Sequence, residues 1–475
     1  VQHRVRKSTH KYGIEVPISV EHALAIDKRN GNNFWRDAIR KEMANVGIAF
    51  KILEDNESLP PGYTKSSGHM IFDVKMDFTL KARWVKDGHR TPNSETSSYA
   101  GVVSRESIRI MLTHAALHDV DVMAADIRNA YLQAPTSEKH YVICGPEFGI
   151  ENVGKRAIIT RALYGGKVAG RDFWHHLRSC MNHLGFTSSK ADPDVWMRES
   201  VREKTGEAYY EYVLLYVDDC LVMSDRADSI LRSELNKYFM LKEESIGAPS
   251  QYLGGKMRMV ELENGQKAWA FGSKQYVETA VNNVVDYLSK RKQSLPARCP
   301  TPMTANYRPE VDVTEELGPE DASYYHSLIG VLRWIVELGR VDINVEVSMM
   351  SSHLALPREG HLQEVLHIFG YLKKHMNSEM VYDPSEPEIN MDEFKREDWG
   401  YSIYSSPGEE LKEELPPDMP KPLGKAFKIR GYVDADHAGE LLTRRSRTGY
   451  IVFLNKSPIY WHSKKNQSIE TSTFG

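Results

Sequence analysis

Two aspartates, Asp218 and Asp219, lie between two apolar, strand-forming runs: Tyr212-Val213-Leu214-Leu215 before them and Cys220-Leu221-Val222-Met223 after. The pattern predicts a hairpin with paired carboxylates at its tip. An Asp-Asp dipeptide alone is more often a solvated turn. Apolar flanks on both sides change that reading. Carboxylates side by side repel, and holding them between buried strands calls for a neutralising cation. A third aspartate, Asp126, ends the strand-like stretch Val120-Asp121-Val122-Met123-Ala124-Ala125 and precedes Ile127-Arg128-Asn129-Ala130-Tyr131. Three aspartates at the ends of adjacent strands are what a two-metal phosphoryl-transfer site requires.

Apolar periodicity places helices and strands around these residues. Trp35, Ala38, Ile39 and Met43 predict a helix between Asn33 and Gly47, followed by strands over 69–76 and 78–86. Ile108, Met111, Leu112, Ala115 and Ala116 mark a helix ahead of Asp126. Phe173, Trp174, Leu177, Met181 and Leu184 mark another, and Ile230, Leu231, Leu235 and Phe239 a third, after the hairpin. Ser273 is placed to cap a helix carrying Tyr276, Val277, Ala280, Val281, Val284 and Leu288. Residues 321–376 read as mostly helical. Residues 1–32 are polar and basic with little periodicity and read as a mobile lead-in. The fold class is α+β, with an antiparallel sheet resting on helices.

Charge is uneven along the chain. The net charge of −4 conceals a stretch, 378–424, with 13 acidic and 4 basic residues and seven prolines, which reads as a linker or insertion. Residues 425–465 carry 9 basic and 3 acidic residues, and Arg444-Arg445-Ser446-Arg447 could face phosphates or form a solvated loop. Four widely spaced cysteines form no C-x-x-C pair, so reduced thiols are expected. No apolar run approaches a membrane span, so no membrane partner is expected. The chain begins at Val1 and reads as a segment of a longer polypeptide.

From Trp35 onward the chain resembles the reverse transcriptase region of copia-type LTR-retrotransposon Pol polyproteins. The similar blocks occur in order: Phe34-Trp35-Arg36-Asp37-Ala38-Ile39, Phe72-Asp73-Val74-Lys75, Leu80-Lys81-Ala82-Arg83, Ser104 to Arg109, Asp126 to Leu132, Ala162-Leu163-Tyr164-Gly165, Tyr216 to Asp219, Tyr252-Leu253-Gly254, Pro300-Thr301-Pro302-Met303 and Asp342-Ile343. The resemblance implies a right-hand polymerase: fingers and palm over 33–270, thumb over 271–320, helical connection over 321–377. It implies RNA-directed DNA synthesis with Mg²⁺, or Mn²⁺ in its place, and with deoxynucleoside triphosphates, an RNA template, a DNA primer and RNA–DNA hybrid as partners. It also implies protease and integrase regions upstream and a cytoplasmic virus-like particle, with a nuclear location as the alternative.

Residue roles follow from the same resemblance. Asp126, Asp218 and Asp219 are the catalytic metal ligands, with the Ile127 carbonyl as a further donor. Lys81 and Arg83 hold the triphosphate, Lys167 joins the nucleotide site, and Tyr131 underlies the sugar and excludes a 2′-hydroxyl. One departure stands out: Val168 replaces the family's glutamine, leaving no side-chain donor there. The segment 425–475 resembles the start of a truncated ribonuclease H-like α/β domain, through Gly431-Tyr432-Val433-Asp434-Ala435-Asp436, Arg445-Ser446-Arg447-Thr448-Gly449-Tyr450, Trp461-His462-Ser463-Lys464-Lys465 and Glu470-Thr471-Ser472-Thr473. Asp434 is its first carboxylate. With no second carboxylate matched, this part is expected to lack nuclease activity. The alternative for the whole chain is a catalytically dead relic that only binds nucleic acid. A stand-alone metal nuclease is disfavoured by the single carboxylate.

Overall fold

The computed structural model describes residues 9–11, 13–74, 78–92, 97–388, 390 and 416–469. Helix α1 (Val20–Asn30) begins where the Ser19 hydroxyl accepts a hydrogen bond from the His22 amide, and ends at Gly31, whose φ of 65° lies in the left-handed region. The Asp27 carboxylate accepts from the amides of Trp35 (3.1 Å) and Arg36 (2.8 Å), so α1 caps the next helix, α2 (Phe34–Val46). The reading of residues 1–32 as a mobile lead-in is therefore corrected for 20–31. Ala23, Ile26 and Asp27 are buried, and a charged exposed face hides the apolar spacing. Strands β1 (Gly68–Val74) and β2 (Leu80–Lys86) form an antiparallel pair. Met70, Phe72, Val74, Ala82 and Trp84 alternate inward from them, and Phe72 meets Trp35 edge to face at 5.5 Å.

Helix α3 (Arg105–His118) precedes β3 (Val122–Asp126). Helix α4 (Ala169–His183) precedes β4 (Thr187–Ser188), β5 (Val195–Val201), β6 (Ala208–Tyr216) and β7 (Asp219–Met223). The sheet order is β4-β5-β6-β7-β3, antiparallel throughout. Both faces are covered, which explains the unbroken apolar runs around Asp218. Val213, Leu215, Cys220 and Val222 pack with Phe173, Leu177 and Met181 of α4. Leu214, Leu221 and Met223 pack with Ile108, Met111, Leu112 and Ala115 of α3.

The helix expected after the hairpin is irregular. A short α turn (Ala227–Ser229) runs into a π turn (Ile230–Glu234) and a 3₁₀ turn (Leu235–Lys237). The five-residue step from Ile230 to Leu235 is too wide for one α-helical face, and the π turn brings both inward. The chain then lies along the free edge of β3 through bridges Ile127–Leu241 and Ala124–Gly247.

Strands β8 (Gln251–Tyr252), β9 (Gly255–Glu261) and β10 (Lys267–Gly272) lead into helix α5 (Lys274–Lys290). Ser273 occupies the cap position, but its side chain makes no capping bond, so that expected contact is corrected. Val277, Val281, Val284 and Leu288 of α5 share one core with α6 (Pro319–Glu337), α7 (Asn344–Ser351) and α8 (Glu359–Lys374). Strand β11 (Glu379–Tyr382), at the head of the acidic stretch, pairs with β10, so these first residues are not linker. Most of that stretch lies outside the described residues. Strands β12 (Ile429–Ala435), β13 (Arg447–Leu454) and β14 (Ser457–Lys465) form a final antiparallel sheet, and Trp461 joins the helical core. All four cysteines are free and buried, and no described helix is long and apolar enough to cross a membrane.

Candidate active site

The carboxylates stand at the tip of the β6–β7 hairpin. Tyr216 pairs with Asp219, leaving Val217 and Asp218 as a two-residue turn. Val217 has φ 56°, and Asp218 is not among the positive-φ residues. That is the φ pattern of a II′ turn, whose first position normally takes glycine. A β-branched residue there is strained by roughly 1–3 kcal/mol. The turn is pinned from β3, because the Ile127 amide donates to the Asp218 carbonyl at 2.7 Å.

The same pairing opposes the acids. Asp219 and Asp126 are direct partners on β7 and β3, and Asp218 is the next residue in the turn. Like charges facing each other across a ladder repel. Burial, then Asp218, then Asp126, pushes the Asp219 carboxyl up to about 6. Burial chiefly, with Asp126 adding, also raises Asp218. Asp126 divides its oxygens: Oδ2 accepts from Lys242 Nζ at 2.5 Å, and Oδ1 is buried with no hydrogen-bond partner.

Three carboxylates with one lysine between them lack positive charge, and hard oxygen donors with an orphaned buried oxygen suit a divalent cation. The residues therefore fit a metal chemically. They are not gathered round one point in this conformation: no cluster of three His, Cys, Asp or Glu among the described residues is positioned to hold an ion. The ammonium of Lys242 holds Asp126 instead. Lys242 escaped the sequence reading because Lys242-Glu243-Glu244 looks like an exposed charge run.

Aromatic and cationic groups lie beside the acids. The Arg83 guanidinium sits 4.3 Å from the Tyr164 ring centroid, and Tyr164 lies 4.9 Å from Tyr131. Burial first, and then the Asp218 charge, raises the Tyr131 hydroxyl. Burial also raises Tyr164, with Arg83 opposing and Asp218 adding. These four side chains thus share one electrostatic neighbourhood. Tyr164 stands in the sequence only as part of the block Ala162-Leu163-Tyr164-Gly165, and its place against Arg83 has no signal in the spacing. Lys81 lies two residues from Arg83 on β2, and both act on Glu42, whose carboxyl burial raises.

Other expected residues lie elsewhere. Lys167 donates to the carbonyls of Thr91 (2.7 Å) and Pro92 (3.3 Å), which directs its ammonium onto loop backbone. Val168 is 1% exposed, at the start of α4. Ile127 is buried. Asp434 is exposed on β12, accepting from the Ala435 amide, and Glu470 to Thr473 fall outside the described residues.

The reverse transcriptase (RNA-dependent DNA polymerase) family model matches residues 59–284, which contain the three aspartates, Lys242, Arg83, Tyr131 and Tyr164. The chain is similar to the retrovirus-related Pol polyprotein from transposon TNT 1-94 of Nicotiana tabacum, at 25% identity over 96% of this chain and 31% of that protein. It is similar to the corresponding polyprotein of an Arabidopsis thaliana transposon, RE2, at 24% identity over 99% of this chain and 29% of that protein. It therefore spans under a third of the length of these plant relatives. A transposon Ty5-1 protein of Saccharomyces cerevisiae is 23% identical over 72% of this chain and 93% of its own length. Among solved structures, a foamy viral protease–reverse transcriptase in complex with double-stranded DNA is similar at TM-score 0.43 and 10% identity, over 90% of this chain and 56% of that one. Residues 59–284 thus match the reverse transcriptase family model, in a chain similar along nearly its whole length to the retrovirus-related Pol polyproteins of plant transposons.

Proposed function

We propose that this chain is an RNA-directed DNA polymerase of right-hand type, extending a DNA primer on an RNA or DNA template. The observation that carries the reading is the opposition of Asp126 and Asp219 across one ladder, with Asp218 in the adjoining turn and one lysine among them. Divalent ions held by Asp126, Asp218 and Asp219, with the Ile127 carbonyl as a further donor, would supply charge neutralisation at the attacking and leaving oxygens. The protein's own part is positioning. Arg83 offers a planar fork to a triphosphate, and Lys81 a point charge on the same strand. Tyr164 beneath the guanidinium holds that fork in place. Tyr131 packs against Tyr164 and offers a flat wall to a sugar, leaving no space for a 2′-hydroxyl.

In this reading β1 and β2 belong to the fingers, the five-stranded sheet to the palm, and α5 to the thumb. Strands β12–β14 are a ribonuclease H-like part with Asp434 as its first carboxylate. The other Pol regions and a virus-like particle remain the proposed setting.

Primer extension on an RNA template tests the proposal. The parent should extend the primer with dNTPs and Mg²⁺, and Asp218→Asn should bind primer–template but not extend it. Val168, buried where a glutamine donor is expected, favours the relic reading. No extension by the parent, with primer–template bound, would establish that alternative.

A further inference from the structure

We propose that Lys242 is a built-in counter-ion that competes with divalent metal for Asp126, so that metal loading requires its ammonium to leave Oδ2. The inference rests on the reading of Asp126 and Asp218 as metal ligands.

The backbone around Lys242 is anchored on both sides. Its amide donates to the Asp126 carbonyl at 2.9 Å. The Ser245 hydroxyl donates to the Lys242 carbonyl (2.7 Å) and accepts from the Asp126 amide (2.9 Å). Gly247 and Ala124 exchange two backbone hydrogen bonds, of 2.8 and 3.1 Å. The segment is thus held against β3 as an added edge, which keeps the Lys242 stem within reach of Asp126.

The side chains are free to exchange. Lys242 is 36% and Asp126 29% exposed, and a four-carbon stem can swing while the backbone stays pinned. The adjacent acids are engaged elsewhere, Glu243 with Arg232 and Glu244 with Arg128. Lys242 instead pairs with Asp126. Its ammonium occupies one oxygen of Asp126, while the other is buried and unpartnered. A carboxylate oxygen cannot fully bond an ammonium and an ion at once, and the ammonium also repels an approaching ion. Both effects weaken metal binding. In exchange the lysine limits mutual repulsion when no metal is bound.

The test is a Mn²⁺ titration of the full chain without nucleic acid or nucleotide, reading free Mn²⁺ by electron paramagnetic resonance. The parent, Lys242→Met, Lys242→Arg and Asp218→Asn are compared, with thermal melting in EDTA alongside. Lys242→Met should bind Mn²⁺ about five- to tenfold more tightly than the parent. It should also melt lower in EDTA, with the deficit closing at saturating Mn²⁺. Lys242→Arg should stay near the parent in both. Unchanged or weaker Mn²⁺ binding by a folded Lys242→Met would overturn the proposal and make Lys242 a structural brace. Parent binding that Asp218→Asn does not diminish would overturn the metal-site reading itself, and the proposal with it.

Discussion

Val217 illustrates how much the hairpin tip gives up for its geometry. A valine at φ 56° and 36% exposure gains little packing to offset its backbone strain. Val217→Gly should therefore raise stability by roughly 1 kcal/mol in urea unfolding, while extension falls as the turn loosens. Arg83 makes the complementary case: if its fork holds a triphosphate as proposed, the point charge of Arg83→Lys gives up a charge-assisted hydrogen bond worth about 1.5–3 kcal/mol. The KM for dNTP should rise about ten- to a hundredfold with the metal requirement unchanged, as steady-state kinetics would show. Away from the site, Lys86 is buried, bonding Glu138 at 2.5 Å and His140 at 2.7 Å. Burial alone would raise the Glu138 carboxyl, but hydrogen bonds from His140 and Lys86 outweigh it and hold it at about 2, below the ordinary 4.5. A depressed carboxyl stabilises the fold above its unfolded value and loses that contribution as pH falls toward its folded value. The gap in urea midpoint between the parent and Glu138→Gln should be full at pH 6 and shrink progressively below about pH 4.5.

At the scale of elements, long apolar-periodic segments were legible and compensated ones were not. The β6–β7 hairpin could be read because apolar runs flank two charges that have no place in a core. Helix α1 could not, because its buried side is narrow and one of its three buried residues is the aspartate that caps α2. Ile26→Ala should cost about 2–5 kcal/mol in chemical unfolding if α1 belongs to the core, and almost nothing if it were a mobile lead-in. The π turn at Ile230–Glu234 was equally hidden, since Leu231, Leu235 and Phe239 keep four-residue steps that read as plain α-helix.

At the scale of the whole molecule, contacts between distant segments decide what local reasoning misses. Arg109, noted in sequence only as the end of a block, is 5% exposed. It donates to the carbonyls of Ile459 (3.1 Å) and Glu337 (2.6 Å) and lies 3.9 Å from the Trp461 ring centroid. One side chain of α3 thereby ties the five-stranded sheet to the helical unit and the last sheet, over more than 200 residues of chain. Arg109→Met would leave both carbonyls without their donor, and calorimetry should then resolve two unfolding transitions where the parent shows closer coupling. The three aspartates carried a signal because their chemistry is local. Lys242 and Tyr164 had none, because their places depend on how separate segments fold together. The proposed role of Asp126, Asp218 and Asp219 is to hold divalent ions at the reacting phosphate. Anomalous diffraction from Mn²⁺ in crystals with primer–template and a non-hydrolysable dNTP analogue tests it most directly. Manganese peaks touching Asp126 and Asp218 are the predicted result, and bound nucleotide with no peak at those carboxylates would contradict it.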